Sequence, residues 1–448
     1  MRASTISVRN SARPALRVST VLEGLSHALD LTEGHPRGHA TRTALIGLRL
    51  GRALHLAPGL QAELLYALLL KDAGCSANAS LVCDLFGGGD HEVKRAVWMR
   101  DWRRVPEQIA HAMAYIGRGS SLVARMRQFG KFAVRGAQGS ATEIFAVRCE
   151  RGAQIARMVG LSETVVEAIR AMDEHWDGGG YPHQLRRLQT PLLARIIGLA
   201  QAVEIFWSQG GPDRAARDRG FWAGLSDARL DRDLLTLVPA GLEIPTDDAL
   251  LDRIADAFAL IIDAKSPYTF AHSARVADYA LAINDGLGAR AVDPVRLRRA
   301  ALLHDIGKLT VPNTILDKPA RLDPSERAVV EQHPAYTLSL LQRVPVFSAF
   351  ADDAANHHEW VNGRGYSRGL HGAALSVTAR ILAVADVLDA VTSVRPYQDR
   401  AMPIEDVEEI LTTGAGTHFD EDCVAACMDG VVELAVASRQ ARRDSRVA

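Results

Sequence analysis

The sequence lacks any apolar run long enough to cross a bilayer. Its longest, such as Leu64 to Leu70 and Ile381 to Leu388, are short or carry a charge, whereas a spanning helix needs about 20 apolar residues. It also lacks a C-x-x-C pair. The five cysteines (Cys75, Cys83, Cys149, Cys423 and Cys427) are odd in number within a long chain, which reads as reduced thiols and excludes a disulfide framework or a cysteine-built structural zinc site. There is no excess of one charge: 52 Lys and Arg stand against 53 Asp and Glu, for a net charge of -1. That balance argues against a nucleic-acid polymer or a membrane surface as partner. The opening Met1-Arg2-Ala3-Ser4 lacks the apolar core of a signal peptide, so a cytoplasmic location is expected. Strand-like alternation is scarce.

What is present is helical periodicity. The 448 residues are 48% hydrophobic and 23% charged, enough for two or three compact domains. Asp247 to Ala264 carries apolar residues at 250, 251, 254, 258, 261 and 262, with Thr246 or Asp247 as N-cap. His272 to Ile283, Leu297 to Ile306, Ser325 to Leu341, Val377 to Val391 and Ile404 to Leu411 read the same way, with Gly307 as a C-cap. The fold class expected is all-α. Residues 208–221 are polar and Gly-rich, a linker pattern.

The two sides of that linker repeat. At an offset of 233, His39, Arg42, Leu69-Leu70, Asp72 and Gly74 meet His272, Arg275, Leu302-Leu303, Asp305 and Gly307. At an offset of 185, Glu174, Gly178, Gly180-Tyr181, Leu185 and Ala194-Arg195-Ile196 meet Glu359, Gly363, Gly365-Tyr366, Leu370 and Ala379-Arg380-Ile381. The offset changes once, by 48, which places one insertion in the first copy between Gly74 and Arg148. The boundaries expected are a tail over 1–20, a first copy over 21–207, a linker over 208–246 and a second copy over 247–440.

The second copy concentrates residues of ligand type: His272, His304-Asp305, His333, His357-His358 and Asp386. Each group lies in or beside an expected helix, so packing of about five helices can bring them to one point. Imidazoles with carboxylates and no nearby thiolate suit iron, manganese or zinc. Seven such residues exceed the four of a structural zinc site and suffice for two metals if one carboxylate bridges. Two ionisable groups at the buried end of an apolar helix, as in His304-Asp305, need a partner or cost several kcal/mol. The lone His371 and His418 read as surface or satisfied core residues.

This ordered set resembles the HD superfamily of metal-dependent phosphohydrolases, and within it the HD-GYP subgroup. Tyr268 to Ser273, Ala301 to Leu309, Ile315 to Pro319, Arg380 to Val387, Arg395-Pro396-Tyr397 and Gly416 to Asp420 carry the resemblance over about residues 250 to 430. It implies two tandem HD-type helical bundles. It assigns His272, His304, Asp305 and Asp386 to one metal, with Asp305 bridging to a second that His333, His357 and His358 complete. Tyr268 stands where relatives with a third metal carry Glu, so two divalent ions, iron or manganese, are expected. Lys308 matches a phosphate-contacting position and Arg395 is a weaker candidate. Gly365 and Tyr366, in the signature loop, are expected beside the substrate. The implied reaction is hydrolysis of cyclic di-GMP by a water whose pKa the metals lower, with Asp305 and Lys308 as the catalytic side chains.

Two departures qualify the resemblance. The subgroup signature H-H-E-x-x-D-G-x-G-Y-P reads here from His357 to Ser367, with Asn362 for Asp and Ser367 for Pro. The first copy keeps Asp177 to Pro182, His39 and Asp72, yet Lys71, Arg148, Met172-Asp173 and Gln201 stand where the second copy has His304, His333, His357-His358 and Asp386. Cationic Lys71 and Arg148 should repel metals, so the first copy is expected to be a degenerate HD-like domain that senses, dimerises or docks. A homodimer or a signalling-protein contact would use that copy or the signature loop. Alternative readings are a phosphohydrolase of another nucleotide or phosphoester, and a signalling adaptor that binds cyclic dinucleotides without turnover.

Overall fold

The computed structural model describes residues 17–87, 90–97, 105–118, 121–135, 137–208, 247–269, 271–393, 402–430 and 432. Among them helices account for all regular structure; the extended pairings are the isolated bridges Asp177–Arg186 and Ala415–Phe419. The first copy runs α1 (Val18–Thr32), α2 (His39–Ala53), α3 (Pro58–Leu70), α4 (Ala79–Phe86), α5 (Asp90–Val97), α6 (Val105–Tyr115), α7 (Leu122–Arg135), α8 (Ala137–Val159), α9 (Glu163–Arg170) and α10 (Leu192–Ser208). The second runs α11 (Asp248–Asp263), α12 (His272–Gly286), α13 (Pro294–Leu303), α14 (Asn313–Leu316), α15 (Pro324–Val330), α16 (His333–Leu341), α17 (Ala351–Ala355), α18 (Val377–Thr392), α19 (Ile404–Gly414) and α20 (Glu421–Met428). The expected tail up to residue 16, nearly all of the expected linker, and Arg395 lie outside the described residues.

Local chemistry sets the helix ends. The Asp247 side chain accepts the Leu250 N–H at 2.7 Å and caps α11. Ser376 caps α18 through the Ala379 N–H at 3.1 Å. The continuous helix expected over Ser325 to Leu341 is instead two helices, α15 and α16, with Pro334 in the first turn of the second. Proline has no N–H to donate backwards and disfavours helix in the residue before it, so the chain breaks and restarts at His333.

Gly307 is not the C-cap expected. It lies inside the 3₁₀ turn Ile306–Thr310. A Cβ there would sit 2.0 Å from the His333 carbonyl oxygen. Its partner in the repeat, Gly74, would meet the Arg148 carbonyl oxygen at 1.8 Å. Each glycine lets the turn after the third helix press onto the helix that carries residue 148 or 333, which aligns the two copies in three dimensions.

In both copies the last long helix packs on the helix that starts at His39 or His272, and that helix packs on the next. The first copy's insertion, α4 to α7, builds its own small core from Val82, Leu85, Phe86, Val93, Ala112 and Ile116. The two copies share one continuous apolar core. Helix α1 packs on the Ile306–Thr310 turn and on α16, and α11 packs on the Cys75–Asn78 turn and on α8. The first helix of each copy thus braces the turn and helix beside the other copy's centre. Gly24 permits the first of these crossings, since a Cβ there would lie 2.6 Å from Val344.

Candidate metal centre

The seven expected residues converge. His304 and Asp305 follow the last turn of α13, His272 opens α12, His333 opens α16, His357 and His358 follow α17, and Asp386 lies within α18. His272, His304 and Asp386 place one ligand atom each within 4.8 Å of one another; so do His333, His357 and His358, and so do His304, Asp305 and His357. Asp305 joins the groups. Its Oδ2 lies 3.4 Å from His272 Nε2 and 3.3 Å from His304 Nε2. Its Oδ1 lies 3.3 Å from His333 Nε2 and 3.7 Å from His357 Nε2. Asp386 Oδ1 is 3.4 Å from His272 Nε2, and its Oδ2 is 4.0 Å from His358 Nδ1.

The imidazoles are held from behind. His304, His333 and His357 each donate Nδ1–H to the carbonyl three residues earlier, at 2.7, 2.7 and 2.6 Å. His272 donates Nδ1–H to Asp389 Oδ2 at 2.7 Å, and the Arg275 guanidinium holds the same carboxylate, with Nη2 2.9 Å from Oδ2. Such outer contacts fix the tautomer and leave the Nε2 lone pair facing the centre. Asp389 was not singled out from the sequence. The repeat carries the signal: at the 185 offset Asp389 meets Glu204, and Arg275 already pairs with Arg42.

Burial opposes charge throughout the cluster, and Asp305, Asp386 and His304 stay charged against it. Asp305 is buried, but His304 and Lys308 hold its carboxyl well below the usual range. Against burial, Asp305 and Asp386 push His304 up to about 10. Burial, reinforced by His333, pulls His358 down to about 3, and His357 is likewise held well below its ordinary value. The latter two imidazoles are therefore neutral, the form that ligates a metal.

The donors fit a divalent cation. His272 Nε2, His304 Nε2 and Asp305 Oδ1 are buried without a hydrogen-bond partner. Buried nitrogens and oxygens facing one another at 3.3–3.4 Å are costly unless a cation, proton or metal ion, is shared between them. A set of imidazole nitrogens and carboxylate oxygens without thiolate suits iron, manganese or zinc.

Lys308 Nζ pairs with Asp305 Oδ2 and is one-fifth exposed, which puts an ammonium at the rim. Tyr366 lies over His358, with ring centroids 4.7 Å apart and planes at 29°. Gly365 has a packing role: a Cβ would meet the His358 carbonyl oxygen and the Trp360 nitrogen, both at 2.4 Å. Glu359 folds the signature loop by accepting the backbone N–H of Arg368 at 2.5 Å and of Leu370 at 3.0 Å. Asn362 Oδ1 accepts the Arg364 N–H at 3.0 Å, as Asp177 Oδ1 accepts the Gly179 N–H at 2.9 Å in the first copy. The Asp-to-Asn departure keeps the acceptor on which the turn depends. His418 packs edge-on against Trp360, with ring centroids 4.0 Å apart.

The first copy rebuilds the same frame around side-chain cations. His39 pairs with Glu204, which also accepts from Arg42 Nε at 2.7 Å, matching His272, Asp389 and Arg275. Lys71 Nζ lies 3.0 Å from His39 Nε2 and pairs with Asp72. The Arg148 guanidinium reaches Asp72 Oδ1 at 3.2 Å and Asp173 Oδ2 at 3.3 Å. An ammonium and a guanidinium thus neutralise the carboxylates that metals would otherwise bridge.

An all-α scaffold that gathers five histidines and two aspartates, with a lysine at the rim, defines a metal-dependent phosphohydrolase. A family model described as "HD domain" matches residues 140–220 and 256–423. The chain is 37% identical over 442 residues to the Vibrio cholerae protein named 3'3'-cGAMP-specific phosphodiesterase 3, covering 93% of this chain and 95% of that one. It is 35% identical over 186 residues to a Xanthomonas campestris cyclic di-GMP phosphodiesterase response regulator, covering 41% and 48%. A crystal structure of a cyclic GMP-AMP specific phosphodiesterase of V. cholerae aligns with a TM-score of 0.58 and 32% identity over 95% of this chain and 98% of that one. The chain belongs to the HD-domain family, in its HD-GYP branch, with an intact second copy and a degenerate first. No helix among the described residues is long and apolar enough to cross a membrane.

Proposed function

We propose that the second copy hydrolyses a phosphodiester bond of a cyclic dinucleotide at a two-metal centre. The observation that carries this is the position of Asp305, one oxygen toward each histidine group, with Lys308 on the same carboxylate. His272, His304, Asp305 and Asp386 would hold one ion, and Asp305, His333, His357 and His358 the other. Two such ions, iron or manganese, supply activation of water and polarisation of the phosphoryl oxygens.

The chain's own groups do the remainder. Asp305 fixes the spacing of the two groups, and Asp389 and three backbone carbonyls fix the ring planes. Lys308 can leave Asp305 for a phosphoryl oxygen and offset charge as it develops there. Tyr366 walls the site beside His358. In the reaction a water oxygen bonds to phosphorus, one P–O ester bond breaks, and the leaving sugar oxygen takes up a proton that the water has lost and becomes a hydroxyl.

As to the two bases, 3'3'-cGAMP is the substrate we favour, because the relative named for it matches across both copies, the degenerate one included. Cyclic di-GMP, the expectation from sequence, is the second reading, supported by relatives of that name matching 37–44% of the chain. Anaerobically purified chain with Fe²⁺ or Mn²⁺, given each dinucleotide in turn, tests this. Linear product from 3'3'-cGAMP in excess over cyclic di-GMP, abolished in Asp305→Ala, is expected. Turnover of a generic phosphodiester alone supports another phosphohydrolase, and metal binding without any turnover leaves an adaptor.

A further inference from the structure

Asp90, in the first turn of α5, belongs to the first copy's insertion, yet its partners lie mostly in the second. Its side chain is fully buried. Its Oδ1 accepts the Asn313 N–H at 3.1 Å. Its Oδ2 faces Lys265 Nζ at 3.5 Å and His91 Nε2 at 3.7 Å, and Lys265 Nζ is 3.3 Å from His91 Nε2. Lys265 is 1% exposed and Asn313 is fully buried. Asn313 in turn donates its side-chain amide to the Lys265 carbonyl at 2.5 Å and to Asp317 at 2.8 Å, and Asp317 accepts from Ser266 Oγ at 2.5 Å. One carboxylate from the first copy therefore ties together two segments of the second.

Those segments border the centre. Lys265-Ser266 leads into His272, and Asn313 follows the turn that carries Lys308. The same turn also packs against α1. We infer that Asp90 is a positioning residue for hydrolysis, acting through Asn313 and Lys265 on the Lys308 turn and the approach to His272. The first copy is then a permanent brace of the metal centre. The inference rests on the second copy being the hydrolytic one.

The test uses the full chain. Asp90→Asn keeps an acceptor for Asn313 but takes the nearest counter-charge from the buried Lys265 ammonium. At a temperature where circular dichroism shows the folded chain, Mn²⁺ affinity and kcat are expected to fall severalfold, short of the about 10–100-fold loss for partners that touch a ligand directly, with KM unchanged. The double variant Asp90→Asn with Lys265→Met removes the buried charge without restoring the tie to Lys265, so it is expected to recover Tm while Mn²⁺ affinity and kcat stay lowered. If Asp90→Asn does not fold, Asn313→Ala, which leaves the ion pair intact, carries the same readout with the same direction of change. A lower Tm with Mn²⁺ affinity and kcat both at wild-type values would make Asp90 glue between the copies and overturn the inference. Should the wild-type chain turn over no cyclic dinucleotide, the proposed function fails, while the Mn²⁺ titration still decides this point.

Discussion

Replacing Asp389 by Asn probes how the centre is held without touching a proposed ligand. Asp389 is 1% exposed and accepts from His272 Nδ1 at 2.7 Å and from Arg275. In spite of burial, these hydrogen bonds and charges hold its carboxyl at about 2, so it is an anion at any working pH. The amide keeps the shape and loses the charge. His272 then loses the partner that fixes its tautomer and makes its Nε2 a better donor, and Arg275 loses its counter-charge. Removing a carboxylate behind a ligating histidine costs about 10–100-fold in metal affinity, equal to about 1.4–2.7 kcal/mol. Mn²⁺ titration followed by metal analysis of the dialysed protein should show that loss, with a parallel fall in kcat at fixed Mn²⁺. Glu204→Gln is the internal control: it cuts the matching link to His39 in the first copy and should lower Tm while leaving Mn²⁺ affinity unchanged. Wild-type Mn²⁺ affinity in Asp389→Asn, or equal losses in both variants, would refute the reasoning.

Four further outcomes can be checked. Lys308→Met should lower kcat about 100-fold, as loss of a group that stabilises developing charge does, with the metal content intact by elemental analysis. Gly365→Ala and Gly180→Ala should each cost about 1–3 kcal/mol in denaturant melts, because the added Cβ meets backbone in both loops. Asn362→Asp should alter neither Tm nor turnover, since the acceptor for Arg364 survives. Stability should fall in acid. Glu33, lowered from 4.5 to about 2 by Lys94 and Arg148 against burial, and Asp72, lowered from 3.8 to about 2 by Lys71 and Arg148 against burial, have depressed pKa values. They contribute up to about 3 and about 2 kcal/mol that are present above pH 4.5 and lost as pH falls toward 2. Asp30 works the other way: burial raises it to about 7, so its contribution is lost as pH rises toward 7. Thermal melts from pH 2 to 8 would show both limbs, and Glu33→Gln should flatten the acid one.

The cluster of histidines and aspartates was legible because ionisable residues stand out at the buried ends of apolar helices. His304-Asp305 and His357-His358 stand out in sequence as paired ionisable residues, and the fold brings both pairs to one buried point. The repeat was legible too, because Gly74 and Gly307 meet the same close approach in both copies. Periodicity alone could not give that reason for Gly307, since a C-cap and a backbone contact both call for glycine. It could not break the helix before His333 either, because the apolar spacing continues across Pro334. Asp389 escaped notice as one acidic residue on a helix already marked by Asp386. The links from Asp90 to Lys265 and Asn313 were beyond reach, since they join residues 175 and 223 positions apart and nothing local in the chain announces them.

The central claim is that one copy carries two metals while the other has replaced them with Lys71 and Arg148. The metal-to-chain ratio of the anaerobically purified protein, loaded with Mn²⁺ and measured beside Asp305→Ala, tests it most directly. A ratio near two in the wild type that collapses in Asp305→Ala is expected. A ratio near four, or metal that stays bound when Asp305 is gone, would contradict it.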